Sequence, residues 1–247
     1  MIRHLSIALV SSLLFLPTFA VSQEKPADPA DQKKAEDPFG ESPNLTRVVK
    51  DEELWIDPKR KIVVIGGEVC LREGQLEMFA CPRATKEHES VVVVNCQPRF
   101  AHAALLAIGA KEGTPVKFDP EYKPAKGMVV DIYVLWKDDK GEKHKARAQD
   151  WVRHAKTGKP MPFDWIFAGS GFWKDDDGKE RYYGDGGEFI CVSNFPSATL
   201  DLPVPSSGAN AELLFTAFTE NIPPRGTKVR LILAPRFEGE KKPEAPK

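Results

Sequence analysis

Three adjacent titratable side chains, Glu87, His88 and Glu89, are separated by a single serine from a run of four valines. A histidine between carboxylates can act as a general base that a carboxylate orients, or as a metal ligand together with Glu87 or Glu89. In an extended strand the two glutamates would point to one face and His88 to the other, so the three groups converge only if the chain bends. The alternative interpretation is that the charged groups solvate the end of a buried valine strand and that His88 hydrogen-bonds a neighbouring backbone group.

A second group of candidates follows in the segment GDGGEF, where Asp185 and Glu188 lie among three glycines just ahead of a predicted strand. Glycine allows the backbone to approach a ligand closely, or simply to make a tight turn. No helix is predicted after these glycines, so the segment is not a phosphate-binding loop. We therefore keep both acidic residues as candidate ligand-binding groups beside the interpretation as a turn.

The segment WIFAGSGFW contains a third possible site. Strand alternation would place Trp165 and Trp173 on one face with glycines between them, which leaves a slot beside Ser170 that is flanked by aromatic rings. Such a slot can accept a flat or sugar-like ligand, or it can be filled by internal packing. Ser170 is not in a G-x-S-x-G elbow, so no motif supports a serine hydrolase.

Four cysteines, Cys70, Cys81, Cys96 and Cys191, complete the candidate set. An even count in an exported chain permits disulfides, in three possible full pairings, and free buried thiols are the alternative. The spacings contain no C-x-x-C and fit neither a zinc site nor an iron-sulfur cluster. We expect no cofactor on this evidence, and the sequence does not identify a metal.

The two ends of the chain predict export and a single globular domain. A short basic start and an apolar run below membrane-spanning length predict a signal peptide over residues 1–22, and therefore a periplasmic or secreted protein. Residues 23–44 are rich in proline and charge and predict a disordered tether, residues 45–235 a single domain, and residues 236–247 a disordered tail. The net charge of −1 excludes the basic footprint of a nucleic-acid-binding protein. Membrane contact is expected only through an uncleaved signal segment.

Hydrophobic patterning predicts an α+β fold, a predominantly antiparallel, sandwich-like sheet with about two helices packed on it. Predicted hairpins join residues 61–71 to 75–81, 128–136 to 143–148, and 165–174 to 180–183. Residues 90–95 lack alternation, which is typical of a central strand covered on both faces. The predicted helices span residues 99–110, after a proline at the first turn, and residues 209–219.

Several segments of the chain resemble the bacterial YdjY-domain family: TKEHESVVVV, HAALLAIGA, RAQDWV, AGSGFW and DGGEFICVSNFPSATLDLPV. The resemblance extends over residues 54–235, nearly the whole predicted domain. It implies a domain type but no chemistry, since the family has no assigned activity. Some relatives carry an additional iron-sulfur segment, which this sequence lacks, so the resemblance implies no cluster here.

These observations support three functional hypotheses. The leading one is an exported, non-catalytic binding module of the periplasm or cell envelope, whose partner is an envelope protein, a glycan or a small ligand. The second is a hydrolase-like or metal-assisted enzyme that uses His88 with the nearby carboxylates Glu87 or Glu89, together with Asp185 and Glu188 from a second loop. The third is a redox partner that acts through Cys81 and Cys191.

Overall fold

The structure is a computed structural model that describes residue 39, residues 44–206 and residues 213–239. The predicted signal peptide, the predicted tether apart from residues 39 and 44, and residues 240–247 of the predicted tail lie outside the described residues. No helix in the described ranges is long and apolar enough to cross a membrane.

Fifteen strands and one α-helix are present among the described residues. In chain order the strands are β1 (Thr46–Arg47), β2 (Leu54–Asp57), β3 (Ile62–Val69), β4 (Met78–Pro82), β5 (Ser90–Val94), β6 (Val129–Lys137), β7 (Lys143–Arg147), β8 (Val152–His154), β9 (Trp165–Phe167), β10 (Phe172–Lys174), β11 (Glu180–Tyr182), β12 (Ile190–Cys191), β13 (Leu200–Asp201), β14 (Phe215–Ala217) and β15 (Lys228–Pro235). The α-helix, α1, spans Pro98–Ala107, and short 3-10 turns span Glu87–Glu89, Ala148–Trp151 and Tyr183–Gly186.

Eight strands form a closed sheet in the order β3, β15, β6, β9, β13, β12, β4 and β5, and the pairing of β5 with β3 closes the ring. Strands β1 and β2 extend from β3, and β7 pairs with β6 outside the ring. Most neighbours are antiparallel, with parallel pairs at β4–β5 and β12–β13. The prediction of a sheet-rich domain is confirmed. The sheet closes on itself, as in a barrel, rather than forming a sandwich, and closure removes the unpaired edges that an open sheet exposes.

The four valines of β5 are buried, and β5 is a central strand between β3 and β4, as predicted. Its pairing also shows that the predicted hairpin between residues 61–71 and 75–81 is wrong. Strands β3 and β4 do not pair with each other, since each pairs with β5. Pairing with β3 and β4 satisfies the backbone of β5 along both edges, and the burial of all five of its side chains shows that both faces of the strand are covered, as an uninterrupted apolar strand requires.

The predicted second helix, at residues 209–219, is also wrong where the structure describes it. Phe215–Ala217 form β14, which pairs with β8, and residues 207–212 lie outside the described ranges. Phe215 and Ala217 are buried while Thr216 between them is partly exposed, which is the two-residue period of a strand. One α-helix therefore packs on the sheet within the described residues, instead of about two.

Other local predictions are confirmed. Strands β6 and β7 form the predicted hairpin. The third predicted hairpin forms only at its end, where β10 pairs with β11, because β9 pairs with β6 and β13 instead. Helix α1 begins at Pro98, whose missing N–H costs nothing at the first helical position. The helix packs against β2, β3 and the turn at Tyr183–Gly186, and this contact brings the helix N-terminus to the GDGGEF segment.

The core of the domain contains large aromatic side chains from distant parts of the chain. Phe79 on β4 packs against Trp165 on β9, with ring centroids 5.5 Å apart, and both are fully buried. The indole Nε1 of Trp165 donates a hydrogen bond to the Cys191 carbonyl at 2.7 Å, so its polar group is satisfied. Truncating either ring to alanine is expected to cost about 3–5 kcal/mol of the free energy of unfolding.

Candidate functional site

Lys86 joins the two acidic motifs that the sequence analysis selected. Its Nζ lies 3.1 Å from Glu89 Oε1, 3.3 Å from Glu188 Oε1 and 3.9 Å from Glu77 Oε2. The ammonium also lies 5.4 Å from the ring centroid of Phe195. The candidate residues Glu89 and Glu188 therefore meet through a lysine between them.

The electrostatics of this cluster stabilise Lys86 as an ammonium ion. Burial lowers the pKa of Lys86, but hydrogen bonds and charge interactions with Glu89 and Glu188 outweigh burial and raise the pKa above its ordinary value. Burial raises the pKa of Glu77, and the neighbouring Glu89 carboxylate raises it further. A lysine held in its charged form is not a nucleophile, so the cluster has the character of a structural ion-pair network.

The Glu87–His88–Glu89 triplet forms a 3-10 turn, not a strand, and its three side chains do not converge on one point. Glu87 accepts hydrogen bonds from the backbone N–H groups of Ala84 and Thr85. His88 has a 75% exposed side chain, with its Nε2 3.8 Å from Glu89 Oε2. His88 contacts neither Asp185 nor Glu188 in the described part of the chain, so this arrangement does not support the enzyme hypothesis.

Asp185 lies at the N-terminus of α1, where it holds Arg99. Its Oδ1 accepts a hydrogen bond from the Arg99 backbone N–H at 3.0 Å, and its Oδ2 accepts one from Arg99 Nε at 2.5 Å. A carboxylate at this position satisfies a free helix N–H and complements the helix dipole. The residue predicted as a ligand group therefore also fixes the direction of an arginine side chain.

A cavity of about 430 Å³ opens beside this pair. Its lining contains two cations, an acid and aromatic rings: Arg99, Trp173, Arg181, Tyr182, Tyr183, Asp185 and Gly186. Trp173 is 43% exposed and Tyr183 48% exposed, and their rings are nearly parallel, with an interplanar angle of 25° and centroids 6.2 Å apart. Large aromatic surface left in water at a concave site indicates binding. We refer to this site as the aromatic cleft.

A buried hydrogen-bond network supports the floor of the aromatic cleft. The Tyr182 hydroxyl lies 2.9 Å from His102 Nδ1 and 3.0 Å from Thr199 Oγ1, and His102 Nε2 lies 3.1 Å from Glu112 Oε2. Burial lowers the pKa of His102, while the Glu112 carboxylate opposes this shift. Because the Tyr182 hydroxyl points into the network, its ring is held in place beneath the exposed rings.

The other two residues of the WIFAGSGFW prediction lie away from Trp173. Trp165 is in the core, and Ser170 donates its hydroxyl to the Ser197 carbonyl at 2.6 Å. The strand alternation ends because Gly169 and Ser170 have left-handed φ values of 95° and 56°. The prediction that Trp165 and Trp173 share one face is therefore wrong.

The cysteines are free thiols in the structure, and none of the possible disulfides is formed. Cys81, Cys96 and Cys191 are buried, and Cys70 is partly buried. Burial raises the pKa of all four thiols, that of Cys70 to about 12. Protonated, buried thiols are poor nucleophiles, so this arrangement does not favour the redox hypothesis.

Among the described residues, one group has the composition of a metal-ligand set, at the β6–β7 turn. Single ligand atoms of Asp138, Glu142 and His144 lie within 4.8 Å of one another. Asp138 already accepts hydrogen bonds from the Glu142 N–H and from His144 Nε2, and His144 stacks on Trp136. These contacts are sufficient to account for the cluster as the closure of a hairpin turn.

A buried acid, Asp201 on β13, has an unusual environment. Its Oδ1 accepts hydrogen bonds from Asn194 Nδ2 at 3.0 Å and the Leu202 N–H at 2.7 Å, while its Oδ2 has no hydrogen-bond partner within the described part of the chain. Burial raises the pKa of Asp201 to about 7. No motif in the sequence marked this residue as a candidate.

Sequence reasoning also missed the two arginines and Tyr183 of the aromatic cleft. Arg99 follows the helix-starting proline, and Tyr183 directly precedes the GDGGEF glycines, so both were adjacent to selected motifs. Arg99 and Tyr183 come together because α1 packs against a turn that lies far along the chain. A local sequence pattern does not predict this long-range contact. Charged and aromatic residues next to a predicted helix start and a glycine turn were the available signal.

Comparison with known proteins identifies the family of the chain. No curated protein and no solved structure matches the chain significantly. The YdjY domain model matches residues 54–234, which include every strand from β2 to β14 and nearly all of β15. The chain therefore belongs to the YdjY-domain family.

Proposed function

We propose that this protein is an exported, non-catalytic binding module of the periplasm or cell envelope, and that it binds saccharides in the aromatic cleft. The observation that carries the proposal is the exposed, nearly parallel pair Trp173 and Tyr183 at the mouth of a cavity that also contains charged groups. Aromatic faces stack on the apolar C–H face of a sugar ring, while arginine and aspartate provide hydrogen bonds to hydroxyl groups. Export rests on the predicted signal peptide over residues 1–22.

The preorganised walls of the cleft support binding. Asp185 fixes Arg99, and the hydrogen bonds of Tyr182 fix the floor, so little side-chain entropy is lost when a ligand enters. Phe172 extends the aromatic surface, since it is exposed and packs against Tyr182 with ring centroids 5.1 Å apart.

The enzyme alternative has weaker support. His88 is exposed on a turn, and its ion-pair partner Glu89 is engaged with Lys86. Lys86 is held as a cation, which leaves it unsuited to nucleophilic or general-base chemistry. We therefore favour binding without catalysis.

The test is a panel of immobilised neutral and acidic oligosaccharides, probed with the wild-type protein and with Trp173→Ala. We expect the wild type to retain at least one saccharide and Trp173→Ala to lose about five- to thirtyfold in affinity, because stacking on one aromatic face contributes on the order of 1–2 kcal/mol. Phe118→Ala is the matched control, since Phe118 is a 51% exposed aromatic residue outside the cleft lining. Equal binding by the wild type and Trp173→Ala would contradict the proposal, as would the absence of any bound saccharide.

A further inference from the structure

We infer that the aromatic cleft selects saccharides that carry a carboxylate, such as uronic acids, over their neutral counterparts. This inference rests on the proposed function and adds the chemical class of the ligand. It is carried by the two arginines that line the cavity together with Trp173 and Tyr183.

Each arginine is held through its own Nε atom, which donates a hydrogen bond to an aspartate. Arg99 Nε donates to Asp185 Oδ2 at 2.5 Å, and Arg181 Nε donates to Asp175 Oδ2 at 2.7 Å. No hydrogen bond or ion pair to the terminal nitrogens of either side chain is present within the described ranges. Each guanidinium therefore keeps its two terminal NH₂ groups for a ligand, and these side chains are 37% and 41% exposed.

The aspartates that hold the arginines are themselves fixed by the backbone. Asp185 accepts the Arg99 N–H, and Asp175 accepts the Lys179 N–H at 2.8 Å across the β10–β11 turn. The Arg181 side chain and this N–H hold the pKa of Asp175 below its ordinary value. The guanidinium groups are thus oriented before a ligand arrives, and little is lost in ordering them.

A carboxylate is the group that fits this arrangement. The two terminal nitrogens of a guanidinium match the two oxygens of a carboxylate in a bidentate pair. Asp175 and Asp185 offset the two arginine charges, so the cleft has no excess positive charge to favour a dianion such as a phosphate monoester. The aromatic rings in the same lining supply the stacking surface for the sugar that carries the acid.

The experiment compares matched ligands on matched variants. Dissociation constants are measured by calorimetry at fixed ionic strength for two pairs of ligands. The first pair is oligogalacturonic acid and its neutral methyl ester. The second pair is an acidic, muramic-acid-containing glycan fragment and the neutral N-acetylglucosamine oligomer of equal length. We expect the acidic member of at least one pair to bind the wild type about tenfold or more tightly, as charge-assisted hydrogen bonds imply. Arg99→Gln and Arg181→Gln should each reduce that preference, and the double variant should abolish it.

The matched control is Arg60→Gln, because Arg60 Nε is also paired with an aspartate, Asp57 Oδ2 at 2.7 Å, and lies outside the cleft lining. This variant should keep the full preference for acidic ligands. Arg181→Gln does not alter the hydrogen bonds at the start of α1, so it tests the inference even if Arg99→Gln perturbs the helix. Melting curves of each variant identify any loss of folding.

The outcomes separate the inference from the proposed function. If Trp173→Ala weakens binding while acidic and neutral members bind equally, the inference is refuted and saccharide binding stands. A preference for acids that both arginine variants retain also refutes the inference, since the arginines would then not be its source. If no saccharide binds, or Trp173→Ala binds as the wild type does, both proposals fail.

Discussion

Replacing Asp201 by asparagine should remove a pH dependence of the free energy of unfolding that arises from the burial of the Asp201 carboxyl group. Asp201 is fully buried, and its pKa is about 7 in the folded protein against an ordinary value of 3.8. The folded state therefore keeps a proton that the unfolded chain releases, and the wild-type protein loses stability as the pH rises from about 4 to about 7. At 1.36 kcal/mol per pKa unit, this single group costs about 4 kcal/mol above pH 7.

The asparagine side chain in Asp201→Asn would be neutral at every pH, and its amide oxygen would still accept the hydrogen bonds of Asn194 and the Leu202 N–H. The free energy of unfolding of Asp201→Asn minus that of the wild type should therefore grow by about 4 kcal/mol between about pH 4 and about pH 7, and stay constant above that range. Taking the difference removes the contributions of groups that titrate equally in both proteins.

The assay is urea denaturation followed by circular dichroism, at half-unit steps of pH and constant ionic strength. The slope of the unfolding free energy against urea concentration should be the same in both proteins, so that the comparison reports stability alone. A difference that does not vary with pH would refute the reasoning, because it would mean that Asp201 is ionised in the folded state at acidic pH.

The ion pairs of Lys86, the free cysteines and the exposed His88 can each be tested separately. Lys86→Met should lower the free energy of unfolding at neutral pH by about 2 kcal/mol, because three carboxylates lose their shared cation. The loss, measured by urea denaturation, should shrink at acidic pH as these carboxylates are protonated. A loss that does not vary with pH would contradict the ion-pair network. Cys81, Cys96 and Cys191 should be unreactive toward a thiol reagent in the native protein, since they are buried free thiols, and the partly buried Cys70 should react slowly. All four should react in denaturant without reductant, and a count below four would reveal a disulfide. His88→Ala should change the free energy of unfolding by no more than about 0.5 kcal/mol and should leave the saccharide affinity unchanged, because the side chain is exposed and outside the cleft lining. A large loss of affinity would restore His88 as a site residue.

Local patterns were sufficient to predict much of the fold. The valines of β5 indicated a central strand because four consecutive apolar side chains need cover on both faces. The β6–β7 hairpin and the start of α1 at Pro98 follow from alternation and from the preference of proline for a first helical turn. These features depend on residues within a few positions of each other.

The features that were missed depend on long-range pairing, on the shortness of a strand, or on a local backbone conformation that residue types do not specify. Placement of β5 between β3 and β4 closes the sheet, and a turn glycine between two strands does not reveal that a third strand lies between them. Phe215–Ala217 is too short for its period to separate strand from helix in the sequence. The break after β9 results from left-handed residues at Gly169 and Ser170, so extending the alternation to Trp173 gave the wrong face.

The residues of the candidate site could likewise be predicted only in part from the sequence. Asp185, Glu188, Glu89 and Trp173 could be selected by residue type, and the structure places Glu89 beside Glu188 through Lys86, and Asp185 beside Trp173 in one cavity. The roles of these residues could not be read from the sequence, since they depend on the partners that folding brings to them. Asp185, for example, is distinguished by its contacts with Arg99 at the start of α1.

The central claim is that the aromatic cleft is the binding surface, and the indole N–H resonances of the five tryptophans test it most directly. The Trp173 resonance is assigned by its loss in Trp173→Ala, and the wild-type protein is titrated with the saccharide that it retains from the panel. The Trp173 signal should shift progressively and saturate, while the signals of the buried Trp151 and Trp165 remain in place. Saturating shifts at other tryptophans with Trp173 unmoved would contradict the account.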